Sequence, residues 1–343
     1  MAVIIPSPAR NQSLVLPVQD RSQAGEARRG AAAWGRDRGW SQDIAGRVAL
    51  IVTELGNNLA IHAAGGLILL RCLHGESSGV EILSLDSSPG AANFHECLRD
   101  GFSTAGTCGN GLGAVRRASD QFTFHSQPGV GTALHCEVWD TPPGTRPGGR
   151  WQFGAVNAAM PGQDICGDSW AVLRGNTGSI RVMIADGSGH GEFAAEASRK
   201  AVEIFHENPT MELPLLLEEM HHALRATRGA AVAVAEIDRA RGLLSYAGIG
   251  NISGVILSHD TSANLVSMNG TIGLNARGYR VFTNPWPADA VLFMASDGLK
   301  SQLQWNRYSG LIERPPGLIA GVLYRDHLRG RDDATALAVS HRS

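Results

Sequence analysis

Residues 179–191 read S-I-R-V-M-I-A-D-G-S-G-H-G. A short run rich in β-branched and apolar residues, closed by a carboxylate and glycines, predicts a buried strand that ends in a tight turn. Asp186 stands at that strand end with Gly187 beside it. The same design recurs elsewhere in the second half of the chain. A-V-L-F-M-A-S-D-G ends in Asp297 and Gly298, C-G-D-S-W contains Asp168, and Asp332 and Asp333 introduce A-T-A-L-A-V-S. Any one aspartate in such a setting reads first as a turn former or cap. Several of them, each at the edge of an apolar strand, point instead to a shared cleft. Hard divalent cations take oxygen ligands there, and two such ions side by side clamp a phosphate and activate water.

Composition sets the outer bounds. The chain has 343 residues, room for two ordinary domains, with 43% hydrophobic and 18% charged residues, as a globular protein with substantial cores requires. A net charge of −2 argues against a nucleic-acid or anionic-membrane surface. Cys72, Cys97, Cys108, Cys136 and Cys166 are scattered and form no C-x-x-C pair. That favours reduced thiols in a cytoplasm over a disulfide framework or zinc site. No signal-peptide pattern and no apolar run of membrane-spanning length occurs in the sequence.

The clearest seam is D-T-P-P-G-T-R-P-G-G-R, residues 140–150, where Pro and Gly interrupt any periodic pattern. The expected organisation is a leader at 1–13, a first domain at 14–139, a linker at 140–150 and a second domain at 151–343. In the first domain, Ile44, Val48, Ile51, Val52 and Leu55 recur at three- and four-residue intervals behind Ser41, a candidate N-cap, and predict a helix over 41–63. Residues 66–73 and 79–85 read as a hairpin, a helix is expected at 112–119, and V-G-T-A-L-H-C-E-V makes a closing strand. The outline is an α+β sandwich.

Glu54 and Asn58 lie four apart on the first helix and project from one face. L-D-S-S-P-G (85–90) follows, then a glycine-rich loop in which Gly109, Gly111 and Gly113 precede a helix. Small residues there let backbone N–H groups and a helix N-terminus cradle phosphates. His62 is expected to be a partly buried helix residue, and Arg116 and Arg117 a surface or docking feature.

Taken in order, T-E-L-G-N-N, L-D-S-S-P-G, D-G-F-S-T-A-G and G-N-G-L-G-A-V-R-R resemble the GHKL ATPase fold, in its RsbT/RsbW-type serine kinase branch. The resemblance implies an N-terminal α/β sandwich that binds ATP with Mg²⁺. It implies Asn58 as the magnesium-holding asparagine, Glu54 as general base, Asp86 as partner of the adenine amino group, and Gly90, Gly109, Gly111 and Gly113 as nucleotide-loop glycines. One departure stands out: Ser88 occupies the place of the first glycine of the usual D-x-G-x-G box, which implies weakened ATP binding.

Likewise C-G-D-S-W, A-D-G-S-G-H-G, Y-A-G-I-G-N, S-D-G-L and R-D-D-A-T resemble the SpoIIE/RsbX-type branch of the metal-dependent (PPM) serine/threonine phosphatases. That likeness implies a central β-sandwich flanked by helices and two Mn²⁺ or Mg²⁺ ions. Asp186, Asp297 and Asp332 are the implied ligands, with the Gly187 carbonyl, and Asp168 holds one ion directly or through water. Asp186 and Asp297 are thereby the catalytic pair on which phosphoserine or phosphothreonine hydrolysis depends. Asp333 is implied to orient Asp332. His190 sits two positions later than the acid histidine of the wider family and is expected to be a turn residue, as is Asn251. Ala171 and Val172 stand where an acidic residue often follows, against a third metal site.

The two resemblances together imply a bifunctional regulator of a partner-switching pathway. Kinase and phosphatase would act on a STAS-domain antagonist protein, with a sigma factor or stressosome-like assembly downstream. The alternative is a phosphatase whose first domain serves only as a nucleotide sensor or protein-binding module.

Overall fold

The computed structural model describes residues 2–3, 12–74, 78–91, 94, 111–142, 150–175, 178–259 and 261–342. The chain divides into two compact units that do not follow chain order. One comprises Met1–Gln12, Arg146–Leu303 and Asp326–Ser343, and the other Ser13–Thr145 and Gln304–Arg325.

The second of these units is built on one antiparallel five-stranded sheet. Its strands are β2 (Leu14–Val18), β3 (Gly66–His74), β4 (Ser78–Asp86), β5 (Gln121–Gln127) and β6 (Gly131–Trp139), in the order β2-β3-β4-β6-β5. Three helices cover one face: α1 (Arg21–Asp37), α2 (Gln42–His62) and α3 (Gly111–Ala118). Helix α2 forms as its periodicity predicts. Ser41 Oγ accepts from the Ile44 N–H at 3.3 Å, a cap worth about 1 kcal/mol. Ile44, Val48, Ile51, Val52, Leu55 and Leu59 enter the core against Ile68, Leu70, Val80, Ile82 and Leu134. This helix is long and apolar enough to cross a membrane by composition, but that apolar face is turned to the sheet. Helix α1 was not legible in the same way, because its buried stripe is Ala24, Ala27, Ala31 and Gly35, small residues without the apolar contrast that periodicity needs.

The opposite face of the sheet is covered by α6 (Pro316–His327), whose first ten residues group with this unit although they lie inside the sequence range expected for the other domain. Two glycines set that approach. A side chain at Gly317 would come within 1.9 Å of Glu81 Oε1, and one at Gly321 within 3.0 Å of Leu83. Leu69, Leu83 and Leu85 are buried on this face.

The other unit is a sandwich of two antiparallel sheets. The six-stranded sheet runs β1 (Ala2–Val3), β8 (Asp168–Arg174), β9 (Ile180–Gly187), β10 (Ala230–Asp238), β11 (Leu243–Ile249) and β14 (Phe282–Pro285). The five-stranded sheet runs β13 (Ser262–Leu265), β12 (Ser253–Leu257), β15 (Val291–Ala295), β16 (Ala334–Arg342) and β7 (Arg150–Ala158). Trp170, Val182, Ile184 and Tyr246 from the first sheet meet Ile256, Leu292, Met294 and Leu337 from the second in the central core. On the outer face of the six-stranded sheet, Met183, Val232 and Val234 pack against α4 (Glu192–Glu207) and α5 (Leu213–Ala223) through Val202, Phe205, Leu217 and Met220. Alternation of the two apolar sets along β9 shows why the strand reads as continuously apolar: both of its faces are buried. The expected α+β class, with a β-sandwich flanked by helices, is the observed one.

Candidate metal and phosphate site

The four strand-end aspartates sit at one end of the sandwich. In the six-stranded sheet Asp168 opens β8 and Asp186 is the last residue but one of β9, and the antiparallel register pairs them directly. In the five-stranded sheet Asp297 follows the end of β15 and Asp332 precedes the start of β16, its register partner. Asp186, Asp297 and Asp332 line a common cavity of ≈ 380 Å³ together with Ser188, Gly189, Asn251, Asn269 and Thr271. No Lys or Arg is among its lining residues.

The supporting shell fixes individual oxygens. Ser296 Oγ donates to Asp168 Oδ2 at 2.6 Å, and the Asn157 amide donates to the Asp168 carbonyl at 3.2 Å and to Thr335 Oγ1 at 2.8 Å. Asn251 Nδ2 donates to Asp297 Oδ2 at 2.6 Å. The Asp333 backbone N–H donates to Asp332 Oδ1 at 2.9 Å, so the two residues touch through the Asp333 main chain. Its carboxylate is engaged elsewhere, accepting from the N–H groups of Met160 and Gly167, both at 2.8 Å. Gly187 has no room for a side chain, since a Cβ would stand 2.0 Å from the Ala194 carbonyl oxygen.

Negative charge predominates around the cavity. Burial pushes the Asp168 carboxyl up to about 7, with Asp333 and Asp297 adding to the rise against hydrogen bonds from Ser296 and Thr335. Asp186 is driven well above the usual carboxylate range by burial and then by Asp168, Asp297, Asp332 and Asp333. Burial followed by Asp332 raises Asp297, with Arg329 opposing. Clustered, buried carboxylates of this kind are costly unless a cation accompanies them, and an all-oxygen donor set suits Mg²⁺ or Mn²⁺. Among the described residues, no three of these aspartates offer oxygens all within 4.8 Å of one another.

His190 is exposed and does not line the cavity. Asn251, expected to be a plain turn residue, belongs to the site. Its signal was present in its position after a strand end, but the contact to Asp297 spans 46 residues and no local pattern reports it.

In the other unit Glu54 and Asn58 lie on one face of α2, and Glu54 Oε2 is 2.6 Å from where a Gly111 side chain would begin. The start of α3 therefore lies close against the Glu54 side chain. Asn58 Nδ2 is buried without a hydrogen-bond partner among the described residues, so Asn58 presents an unused polar atom there. Asp86 Oδ1 accepts from the Ser88 and Thr132 N–H groups at 2.9 and 3.2 Å. Gly90 is left-handed (φ +71°) and would collide with the Gln127 carbonyl if it carried a side chain. The Ser88 hydroxyl accepts from the Gly90 N–H at 3.4 Å. Gly113 is buried in α3, Gly109 lies outside the described residues, and Arg116, Arg117 and His62 are exposed, His62 more so than its expected half-buried place. A second group of metal-ligand residues, Glu81, His135 and Glu137, already has its cation in Arg71, whose Nε is 2.8 Å from Glu81 Oε2.

Comparison with known proteins fits both halves. The Stage II sporulation protein E (SpoIIE) family matches residues 176–342, and the histidine kinase-like ATPase domain matches residues 17–138. Serine/threonine-protein kinase RsbT of Bacillus subtilis (strain 168) is 32% identical over 94 residues, covering 27% of this chain and 71% of RsbT. The chain belongs to the RsbT-type kinases, joined to a SpoIIE-type phosphatase domain. Phosphoserine phosphatase RsbX of the same organism is 22% identical over 139 residues, 40% of this chain and 69% of RsbX. A solved structure from work on the bacterial stressosome, as a modular system adapted to control secondary messenger signalling, superposes with a TM-score of 0.52 at 25% identity, over 55% of this chain and 99% of that one. The SpoIIE-type part places the chain among the metal-dependent serine/threonine phosphatases. Asp168 precedes the stretch matched to the SpoIIE family, yet β8 carries it to the same end of the sandwich.

Proposed function

We propose that this chain is a bifunctional regulator that phosphorylates and dephosphorylates serine or threonine on STAS-domain partners in a partner-switching pathway of the bacterial cytoplasm. The observation that carries the reading is the convergence of Asp186, Asp297 and Asp332 on one cavity in a chain that also bears an RsbT-like unit. The buried thiols Cys136 and Cys166, which form no disulfide, support a reducing compartment.

In the phosphatase unit, Asp186, Asp297 and Asp332, with the Gly187 carbonyl and with Asp168 behind them, would hold two Mn²⁺ or Mg²⁺ ions. When bound, such ions supply Lewis-acid activation of water and neutralise phosphoryl oxygens. The chain's own residues do the rest. Asn251 ties one oxygen of Asp297, which fixes the rotation of that carboxylate; Ser296 does the same for Asp168; Asp333 pins the 160–167 loop beside them. A cavity without Lys or Arg leaves the phosphate to be drawn by the held cations, so affinity for phosphoprotein depends on them.

In the kinase unit, Asp86 would receive the adenine amino group on the oxygen not engaged by Ser88 and Thr132. Asn58 would hold Mg²⁺, Glu54 would take the proton of the acceptor hydroxyl, and Gly90, Gly109, Gly111 and Gly113 would leave space for the nucleotide. Ser88 supports the second reading, a nucleotide sensor without kinase turnover, because a side chain stands where the motif has none. Its hydroxyl is turned to the Gly90 N–H, which favours retained nucleotide binding.

The test uses the purified full chain with STAS-domain proteins, [γ-³²P]ATP and Mg²⁺, followed by Mn²⁺. Label that appears only with Asn58 intact and disappears only with Asp186 intact is the expected result. Absence of labelling, with Asp186-dependent removal of phosphate from pre-phosphorylated partner, would leave the phosphatase alone. Phosphate release that survives Asp186→Ala would overturn the site assignment.

A further inference from the structure

The metal cavity is bordered on one side by an exposed apolar and cationic rim. Phe193, at the start of α4, is 61% exposed, and Leu274 is 59% exposed, the two highest values among the exposed large hydrophobic residues described. Arg228 lies by them: its guanidinium carbon is 5.0 Å from the centre of the Phe193 ring. Its Nη1 is 3.2 Å from the position a Gly189 side chain would take. Gly189 lines the cavity. The next residue, Gly229, leaves space that Leu274 and Thr271 occupy, with Leu274 Cγ at 3.1 Å and Thr271 Cγ2 at 3.0 Å from its missing Cβ.

The backbone fixes this neighbourhood. The Ser188 N–H donates to the Gly229 carbonyl at 3.0 Å, and Ala230 and Ile272 exchange N–H···O bonds of 3.0 and 2.9 Å. The turn that carries Asp186, the residues that carry Arg228 and the loop that carries Leu274 are thus stitched together. An exposed aromatic side chain stacked beside an arginine is a pairing enriched at protein interfaces. A planar guanidinium matches phosphate in a bidentate manner. Arg228 is a cation beside a cavity whose own lining residues include no Lys or Arg.

We propose that Phe193, Arg228 and Leu274 form a rim that reads the phosphoserine segment of a protein partner. Arg228 contacts a phosphoryl oxygen on the side away from the aspartates, while Phe193 and Leu274 receive apolar side chains that flank the phosphorylated residue. This rests on the phosphatase reading of the same cavity. Charge argues for this occupant, because an anion drawn to cations held in the carboxylate-lined cavity also suits the guanidinium. Continuity argues for it too, because a phosphorylated residue inside the cavity must carry its chain neighbours across the rim. A small phosphate ester fills the cavity alone and leaves Phe193 and Leu274 untouched.

The experiment measures kcat and KM of the full chain with Mn²⁺ on three substrates. They are p-nitrophenyl phosphate, a phosphoserine peptide with leucines flanking the phosphorylated residue, and the same peptide with serines in their place. The expected wild-type enzyme prefers the leucine peptide. Phe193→Ser and Leu274→Ser together lower kcat/KM on that peptide by ~10-fold relative to p-nitrophenyl phosphate, mainly through KM, as loss of one or two buried apolar contacts implies. Arg228→Ala raises KM on all three, and Arg228→Lys recovers part of the loss. Leu215→Ser, at an exposed leucine of α5 that does not line the cavity, leaves all values as in wild type. Hydrolysis of p-nitrophenyl phosphate without peptide preference, or a preference unmoved by the rim substitutions, overturns the rim and leaves the phosphatase reading standing. Failure to hydrolyse any of the three in an Asp186-dependent way overturns both.

Discussion

Asn251 carries more of the chemistry than its place in a Gly-rich turn suggests. Its amide donates to Asp297 Oδ2 at 2.6 Å, and that bond decides which carboxylate oxygen is left to face the cavity. Residues that orient metal-binding carboxylates are worth ~10–100-fold in metal affinity. Asn251→Ala is therefore expected to raise the Mn²⁺ concentration for half-maximal hydrolysis of p-nitrophenyl phosphate by ~10–100-fold, with Asn251→Asp losing the N–H donor to Asp297 and adding a further carboxylate to a repelling set. Calorimetric titration with Mn²⁺ gives the second readout, and unchanged affinity in the alanine variant would return Asn251 to the role of a turn residue. At this scale the sequence exposed the aspartates because each ends or begins an apolar strand. It concealed Asn251 and the loop-anchoring carboxylate of Asp333, whose partners Met160 and Gly167 lie more than 160 residues away in the chain.

Strands β3, β4 and β6 carry a buried polar cluster on the face covered by α6. Arg71 and Glu81 are cross-strand partners, and His135 Nε2 meets Glu81 Oε1 at 2.9 Å, with Glu137 the further charge beside His135. Burial alone would raise the Glu81 carboxyl, but the charges and hydrogen bonds of Arg71 and His135 hold it at about 2, below its ordinary 4.5. Burial alone would lower His135, but the hydrogen bond and charge of Glu81 raise it above its ordinary 6.5. A depressed carboxyl contributes stability that is present above 4.5 and is lost as pH falls toward about 2. A raised imidazole contributes stability that is present below 6.5 and is lost as pH rises through its elevated value. The sheet is therefore expected to be most resistant between these limits, with hydrogen-exchange protection of β4 and β6 declining on both the acid and the alkaline side. Removing one partner of a buried pair costs about 3–5 kcal/mol, so His135→Ala should unfold this sheet at markedly lower urea and abolish the alkaline limb. A flat profile from pH 5 to 9 would show that His135 stays neutral. The elements themselves were legible where residue contrast is strong, as in α2 and the β3–β4 hairpin. They were not legible in α1, whose buried stripe is alanine and glycine, nor in the placement of α6, which depends on two glycines passing close to Glu81 and Leu83.

Across the whole molecule, the chain passes between units at 12/13, 145/146, 303/304 and 325/326. The passages at 303/304 and 325/326 have a consequence for the Pro/Gly-rich stretch that reads as a simple tether. Segment Gln304–Arg325 leaves the phosphatase unit between Asp297 and Asp332 and belongs to the kinase-like unit, where Gly317 and Gly321 lie against the sheet and Arg325 Nη1 donates to the Asp86 carbonyl at 2.6 Å. Leu69, Leu83 and Leu85 are buried on the face that this segment covers, each worth about 1.5–3 kcal/mol on burial. A cut in the stretch at 143–149 therefore separates the two sequence halves without freeing the kinase-like unit from the segment that completes it. With a site for a sequence-specific protease inserted there, the two pieces are expected to co-elute on a native size-exclusion column after complete cleavage and to part only in denaturant. Gly317→Val should weaken that association, because its side chain would have to displace the Glu81 carboxylate from Arg71 and His135. If the unsubstituted pieces separated freely in native buffer, the second face of the kinase-like sheet could not be held by α6, and the two sequence domains would be joined by the tether alone.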